Sequence, residues 1–239
     1  MKTLFCHDCR FLEKDNNVYT EGGFDRKLFD RYLEFFNILT VVARLDNIDS
    51  NNVANICEEN LVDNMAFIPV NINYNNVVKV VKKAVQNNDL AIIRLPSIVG
   101  TIAVYFCKKF NKSYLIELVG CPWDALWNHS WKGKLFAPFM WCVTKKAVKN
   151  APYVLYVTNE FLQRRYPSTG RTISCSDVAL PTLDESVLEA RLNKINYTSD
   201  NKPIILGTTA DVNIRYKGQE YVIQAISRLN KQGYNFEYH

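Results

Sequence analysis

The sequence predicts an α/β protein with a mainly parallel sheet, on three observations. Segments with strand and helix patterns alternate along almost the whole chain, the order that yields parallel strands joined by helical crossovers. Several strand candidates are unbroken apolar runs, as in Leu90-Ala91-Ile92-Ile93, which suits strands covered on both faces. The last stretch repeats the pattern in miniature: a short strand from Pro203, a polar loop, a helix and a second strand.

Taken in order, the strand candidates are Thr3 to Cys6, Ile38 to Leu45, Met65 to Ile72, Leu90 to Leu95, Ser113 to Val119, Tyr153 to Val157 and Arg171 to Ser174. Helices fall between them, at Asp25 to Phe36, Asn75 to Gln86, Ser97 to Phe110, Lys134 to Asn150, Glu160 to Arg165 and Asp184 to Lys194. Asp25 and Ser97 are natural N-caps. Pro138 is expected in the first turn of its helix or at a kink. The polar run from Asn196 to Lys202 reads as a linker between a first domain, residues 1–195, and the start of a second, residues 203–239. In that second part Val222, Ile223, Ala225, Ile226 and Leu229 fall close to helical spacing, and Tyr234 to Tyr238 begins another strand. A β-α-β opening of this size falls below the ~40 residues at which a domain usually stands without support. The second domain therefore reads as truncated.

Composition narrows the class. A hydrophobic fraction of 48% over 239 residues supports a sizeable core, and no apolar run approaches the ~18 residues of a membrane span. The N-terminus lacks a secretory leader pattern. Seven cysteines at irregular spacing argue for a reducing compartment rather than a disulfide scaffold, so the cytoplasm is expected. The net charge of +5 lies in one segment: no acidic residue occurs between Asp124 and Glu160, where Lys132, Lys134, Lys145, Lys146 and Lys149 are found. Trp123, Trp127, Trp131 and Trp141 lie in or beside it.

Five motifs carry candidate chemistry. Glu21-Gly22-Gly23-Phe24 can bring backbone N–H groups close to a phosphate, or form an ordinary turn. No dinucleotide fingerprint and no P-loop occur, which disfavours an oxidoreductase and a P-loop NTPase. Cys6-His7-Asp8-Cys9 lacks the further ligands of a zinc site, and no metal or cofactor is expected. Glu117 to Asp124 reads as a strand running into a tight Gly/Pro loop, where Asp124 and His129 could orient or deprotonate a hydroxyl and Trp123 could stack on a sugar. Arg94 at a strand's carboxyl end faces either an anionic ligand or a local ion pair. The stretch from Lys134 to Lys146, with Trp131 and Trp141, suits the surface of an anionic membrane or a buried helix with a lysine rim. Its lack of arginines disfavours nucleic acid.

Together these residues resemble the two-domain GT-B glycosyltransferases, specifically the retaining family-4 type of capsular and exopolysaccharide assembly. The resemblance is most specific at Ile204 to Leu229, where a strand ending in glycine precedes Lys217-Gly218-Gln219 and a helix with Ile223-Gln224-Ala225-Ile226. It extends to Ile93-Arg94-Leu95-Pro96-Ser97, Glu117 to Trp127 and Val157 to Gln163 with Arg165-Tyr166-Pro167. It implies two Rossmann-like domains, an acceptor-side first and a donor-side second, and a nucleotide-sugar donor as co-substrate. By the same resemblance Lys217 contacts the donor diphosphate, and Gly22 and Gly23 approach the same phosphates. Thr208 stands where many members carry an arginine, with Arg215 as a substitute by another path. Gly120-Cys121-Pro122 stands where many carry a histidine, which leaves Asp124 or His129 for that role. The implied acceptor is a glycan or a lipid-linked saccharide, met in the cytoplasm or at the inner face of the cytoplasmic membrane. The family's paired glutamates lie beyond residue 239, so little or no transferase activity is expected of this chain. The alternative is a non-catalytic α/β module that binds acceptor lipid, a membrane surface or a partner protein.

Overall fold

The computed structural model describes residues 1–14, 17–20, 24–47, 65–70, 76–178, 182–197, 202–210 and 217–239. The chain forms two units, one of Met1–Ala125 with Phe136–Asp177 and one of Leu126–Leu135 with Val178–His239.

The first unit is built on an eight-stranded sheet. Its strands are β1 (Lys2–Lys14), β2 (Asn17–Tyr19), β3 (Ile38–Asn47), β4 (Met65–Pro69), β5 (Leu90–Leu95), β6 (Ser113–Leu118), β7 (Tyr153–Tyr156) and β8 (Arg171–Ser174). The order is β4-β3-β1-β5-β6-β7-β8, with β2 returning along β1. Every pairing is parallel except β1 with β2. The α/β fold with a parallel sheet flanked by helices is therefore as the sequence predicts.

Strand parity divides the core. Leu4, Cys6, Ile93, Leu95, Ile116 and Leu118 point to one face. There they meet α2 (Val77–Asn87), α3 (Ile98–Lys109) and the carboxyl half of α5 (Trp131–Lys149) through Val81, Val99, Ala103 and Val148. Phe5, Phe11, Val41 and Ile92 point to the other, where Phe29 of α1 (Arg26–Leu33) packs. Alternate residues of one strand serve opposite faces, as the two-residue period requires. Asp25 caps α1 by accepting the Leu28 N–H at 3.0 Å, and the Ser97 hydroxyl accepts the Gly100 N–H at 2.8 Å at the start of α3.

Three expectations need correction. β1 runs on to Lys14 rather than stopping at Cys6, because buried Phe11, Leu12 and Val18 continue the core beyond a register shift between Cys6 and Arg10. The expected loop after the Glu117 strand is confined to residues 119–121, and the chain then forms α4 (Pro122–His129), with Pro122 at its first position, where the missing N–H is harmless. And α5 begins at Trp131, which puts Pro138 inside the helix rather than in its first turn.

In the second unit β9 (Ile204–Leu206) and β10 (Phe236–Tyr238) pair in parallel, joined through α8 (Gln219–Lys231). Ile226 is the buried residue of α8, and α7 (Glu185–Asn196) buries none of its residues. The first unit also contains the short α6 (Phe161–Arg165).

Candidate functional site

In a doubly wound sheet, ligands bind beyond the carboxyl ends of the strands where the strand order reverses. Here that place is the β1/β5 junction, since β1 lies between β3 and β5. The register shift puts His7, Asp8 and Cys9 there. Asp8 is the residue that shapes it. One carboxylate oxygen accepts from the Ser97 hydroxyl at 2.9 Å and the Val99 N–H at 2.8 Å, and the other accepts the Ile98 N–H at 2.6 Å. The first turn of α3 thus has its free donors filled by the protein's own carboxylate, the arrangement an external anion would otherwise take.

Beside it, His7 Nδ1 accepts the Cys9 N–H at 2.9 Å, and its ring lies 5.1 Å from that of Phe24. Burial dominates its titration and lowers the pKa to about 4. Asp8 opposes the shift, while Arg94 and Arg44 add to it. The imidazole is therefore neutral near pH 7, with its proton on Nε2 because Nδ1 is an acceptor.

Arg94, at the carboxyl end of β5, lies in a buried charged cluster. Its guanidinium is 3.4 Å from Glu117 on β6 and 2.9 Å from Asp177, and 5.3 Å from the centre of the Phe24 ring. Glu117 also accepts the Tyr32 hydroxyl at 2.6 Å. Burial and then Glu117 raise the Tyr32 pKa, so the phenol stays a donor. The cluster lines a cavity of about 290 Å³ together with Phe35, Ile92 and Leu155. Arg94 thus makes local ion pairs with Glu117 and Asp177 at the carboxyl end of β5.

The other predicted residues are dispersed. Asp124 lies in the first turn of α4, 3.2 Å from Arg165. His129 is the last residue of α4 and exposed. Five positions apart on one helix, the two diverge by ~140° and do not share a face. Trp123 meets Trp141 edge to face at 6.3 Å, with Lys145 over the Trp141 ring at 4.5 Å. Trp131, Lys134 and Lys146 are exposed, and Lys134 lies over Trp127 at 5.8 Å.

In the second unit Thr208 follows β9 and donates its backbone N–H to His239 at 3.1 Å. Lys217 directly precedes Gly218, the N-cap of α8, whose φ of 85° is a left-handed conformation that favours glycine. Gly22, Gly23 and Arg215 lie outside the described residues.

Sequence reasoning did not single out Asp8, nor Glu117, Tyr32 and Asp177 as the groups gathered around Arg94. The signal for Asp8 was the polar His7-Asp8 pair closing an apolar strand. The other contacts span 85 and 83 residues and leave no local signature.

These features define a doubly wound, Rossmann-like α/β unit with a charged switch-point cluster, and a separate β-α-β segment. No model of a known protein family matches the chain. It is 33% identical to Protein CapJ of Staphylococcus aureus over 245 aligned residues, which cover 99% of this chain and 60% of that protein. The chain thus spans about three fifths of the length of this relative. Among solved structures it is similar to a glycosyltransferase from Rickettsia africae, with a TM-score of 0.43, 16% identity and coverage of 99% of this chain and 59% of the other. It is also similar to a UDP-GlcNAc 2-epimerase from Neisseria meningitidis bound to UDP-GlcNAc, with a TM-score of 0.38, 12% identity and coverage of 100% and 65%. An Arabidopsis thaliana protein, UGT89C1, complexed with UDP matches with a TM-score of 0.40, 9% identity and coverage of 99% and 65%. At these scores the fold is read from the strand topology itself.

Proposed function

We propose that the chain is part of a GT-B glycosyltransferase of the retaining family-4 type, acting in cell-surface polysaccharide synthesis. The observation that carries this reading is Lys217 beside the left-handed Gly218 at the start of α8, in the crossover that follows β9. A lysine next to a helix N-terminus is suited to a diphosphate.

In this reading residues 1–195 handle the acceptor, 196–202 link, and 203–239 begin the donor domain. Lys217 contacts the diphosphate of a nucleotide sugar, with Thr208, Arg215, Gly22 and Gly23 as the further candidates for its binding. The acceptor hydroxyl bonds the anomeric carbon on the face from which the leaving group departs. The bond from that carbon to the diphosphate oxygen breaks, its electron pair leaves with the nucleotide, and the hydroxyl proton passes to a base. Asp124 and His129 are the candidates for orienting that hydroxyl. A lipid-linked or glycan acceptor would be met at the cytoplasmic face of the membrane. Among the described residues no helix is long and apolar enough to cross one.

Calorimetric titration with UDP-, GDP- and ADP-sugars, followed by a turnover assay, tests this. Binding of one nucleotide sugar is expected, weakened about tenfold by Lys217→Ala, as befits one charge-assisted contact, with little or no turnover. Absence of binding across the panel overturns the donor reading and leaves the non-catalytic module. Robust turnover overturns the expectation of inactivity.

A further inference from the structure

At the amino ends of β6, β7 and β8 the first unit carries a second cavity, of about 610 Å³, within the ~300–1,000 Å³ of small-molecule sites. It lies at the other end of the parallel strands from the switch point. Lys108, Asn111, Lys112, Ser113, Asn150 and Thr169 line it. Three stretches form it and its rim, 105–116, 144–153 and 168–174, and none contains an acidic residue. Lys108, Lys109, Lys146, Lys149 and Arg171 make no ion pair among the described residues. Asp89, at the same end of the sheet, accepts the Lys2 N–H at 2.9 Å. Lys108 and Lys109 close α3, and Lys146 and Lys149 close α5, where the helix dipole favours cations. The positive patch therefore persists without internal carboxylates. Burial and then Lys146 lower the Lys108 pKa, a repulsion that a bound anion relieves.

The neutral groups narrow the ligand. Asn150 donates through Nδ2 to the Lys146 carbonyl at 3.1 Å, and the Thr169 hydroxyl donates to the Lys149 carbonyl at 2.8 Å. What they keep for a ligand is chiefly acceptor capacity, at Asn150 Oδ1 and Thr169 Oγ1. A fully ionised polyphosphate has no proton to offer them. A sugar acid has both parts, a carboxylate for the lysines and hydroxyls that donate.

We propose that this cleft binds an acidic saccharide, with a sugar carboxylate on Lys108 and its neighbouring cations and ring hydroxyls donating to Asn150 and Thr169. The site is separate from the switch point and does not depend on the chain being a transferase. In the glycosyltransferase reading, its ligand is a part of an acidic glycan remote from the reacting sugar.

The test is calorimetric titration of the full chain with trigalacturonate, with maltotriose as the uncharged saccharide and inorganic tripolyphosphate as the anion without hydroxyl donors. Trigalacturonate is expected to bind at least about tenfold tighter than maltotriose, as befits charge-assisted hydrogen bonds. It should also bind more tightly than tripolyphosphate, which carries the greater charge. Lys108→Glu with Lys146→Glu should weaken trigalacturonate binding at least about tenfold while leaving the thermal melt in place, since both side chains are exposed. In the unmodified protein, the amide signals of Ser113, Asn150 and Thr169 should move on adding trigalacturonate, and those of Asp8 and Ile98 at the switch point should not.

No trigalacturonate binding, or binding that the lysine pair leaves unchanged, overturns the site. Maltotriose or tripolyphosphate binding as tightly as trigalacturonate overturns the acidic saccharide as its ligand. Shifts confined to the switch point would place the saccharide there instead. The nucleotide-sugar titration on the same preparation is independent: either binding can fail with the other intact.

Discussion

Asp8 accepts the backbone N–H of Ile98 at 2.6 Å, across 90 residues of sequence. This bond, with those from Val99 and Ser97, fills the switch-point helix terminus from within. The N–H donors at the start of α3 are thus already bonded within the protein.

Removing the cap therefore tests stability. Asp8→Ala strips three hydrogen bonds from the start of α3 and is expected to destabilise the first unit by ~2–3 kcal/mol. Asp8→Asn keeps an acceptor but loses the charge, and should cost about half as much. Urea denaturation of the three proteins checks the order. An unchanged midpoint for the alanine variant would show that water replaces the carboxylate at no cost.

Arg94 and Glu117 make the second case. Arg94→Met leaves the Glu117 carboxylate buried without its cation, and breaking a buried pair in this way costs ~3–5 kcal/mol. Adding Glu117→Gln removes the stranded charge and should recover part of the loss. Asp177→Asn should cost less, because the Asp177 side chain is 37% exposed and water can solvate the lost partner's place. A double-mutant cycle in urea measures the coupling. Additive losses for Arg94 and Glu117 would mean that the pair does not act as a unit.

His7 sets a pH dependence. Its folded pKa of about 4 lies below the ordinary 6.5, so as pH falls the unfolded chain takes up the proton first. Its contribution is fully present above pH ~6.5 and is lost progressively as pH falls towards ~4. The full effect is of order 3 kcal/mol at ~1.4 kcal/mol per pH unit. His7→Gln should flatten this part of the curve. The difference in urea midpoints between wild type and variant, followed from pH 7 to pH 4, isolates His7 from the carboxylates that titrate in both. A constant difference would refute the depressed pKa.

What was legible in the sequence was whatever local pattern records. Apolar runs announced β5 and β6, and Asp25 and Ser97 announced two helix starts. In the last segment Pro203 and Gly207 bound the apolar run from Ile204 to Leu206, and its pairing with Phe236 to Tyr238 follows from the β-α-β order. The distal half of β1 was hidden because His7 and Asp8 break the apolar run just where the register shifts. Helix α4 was hidden because Gly120 and Pro122 read as turn residues, although Pro122 is tolerated at a helix start. The cluster of Arg94, Glu117, Tyr32 and Asp177 joins four distant positions, and only the fold brings them together.

Gly170 provides a sharp test of the edge of the sheet. A Cβ added there would lie 2.1 Å from the Ala151 carbonyl oxygen and 2.6 Å from that of Pro152. Both are backbone atoms, so relief requires moving the main chain rather than turning a side chain. The same Pro152 oxygen accepts the Arg171 N–H at 2.9 Å, the bond that starts the β7–β8 pairing. Gly170→Ala is therefore expected to push β8 away from β7 and to destabilise the first unit by ~1–3 kcal/mol, the range of overpacking. Faster amide exchange should appear at Arg171 and Cys175, whose N–H groups bond to Pro152 and Tyr156, while the amides of β5 keep their protection relative to the global stability. A lower melting temperature with exchange at β8 unchanged would place the strain elsewhere.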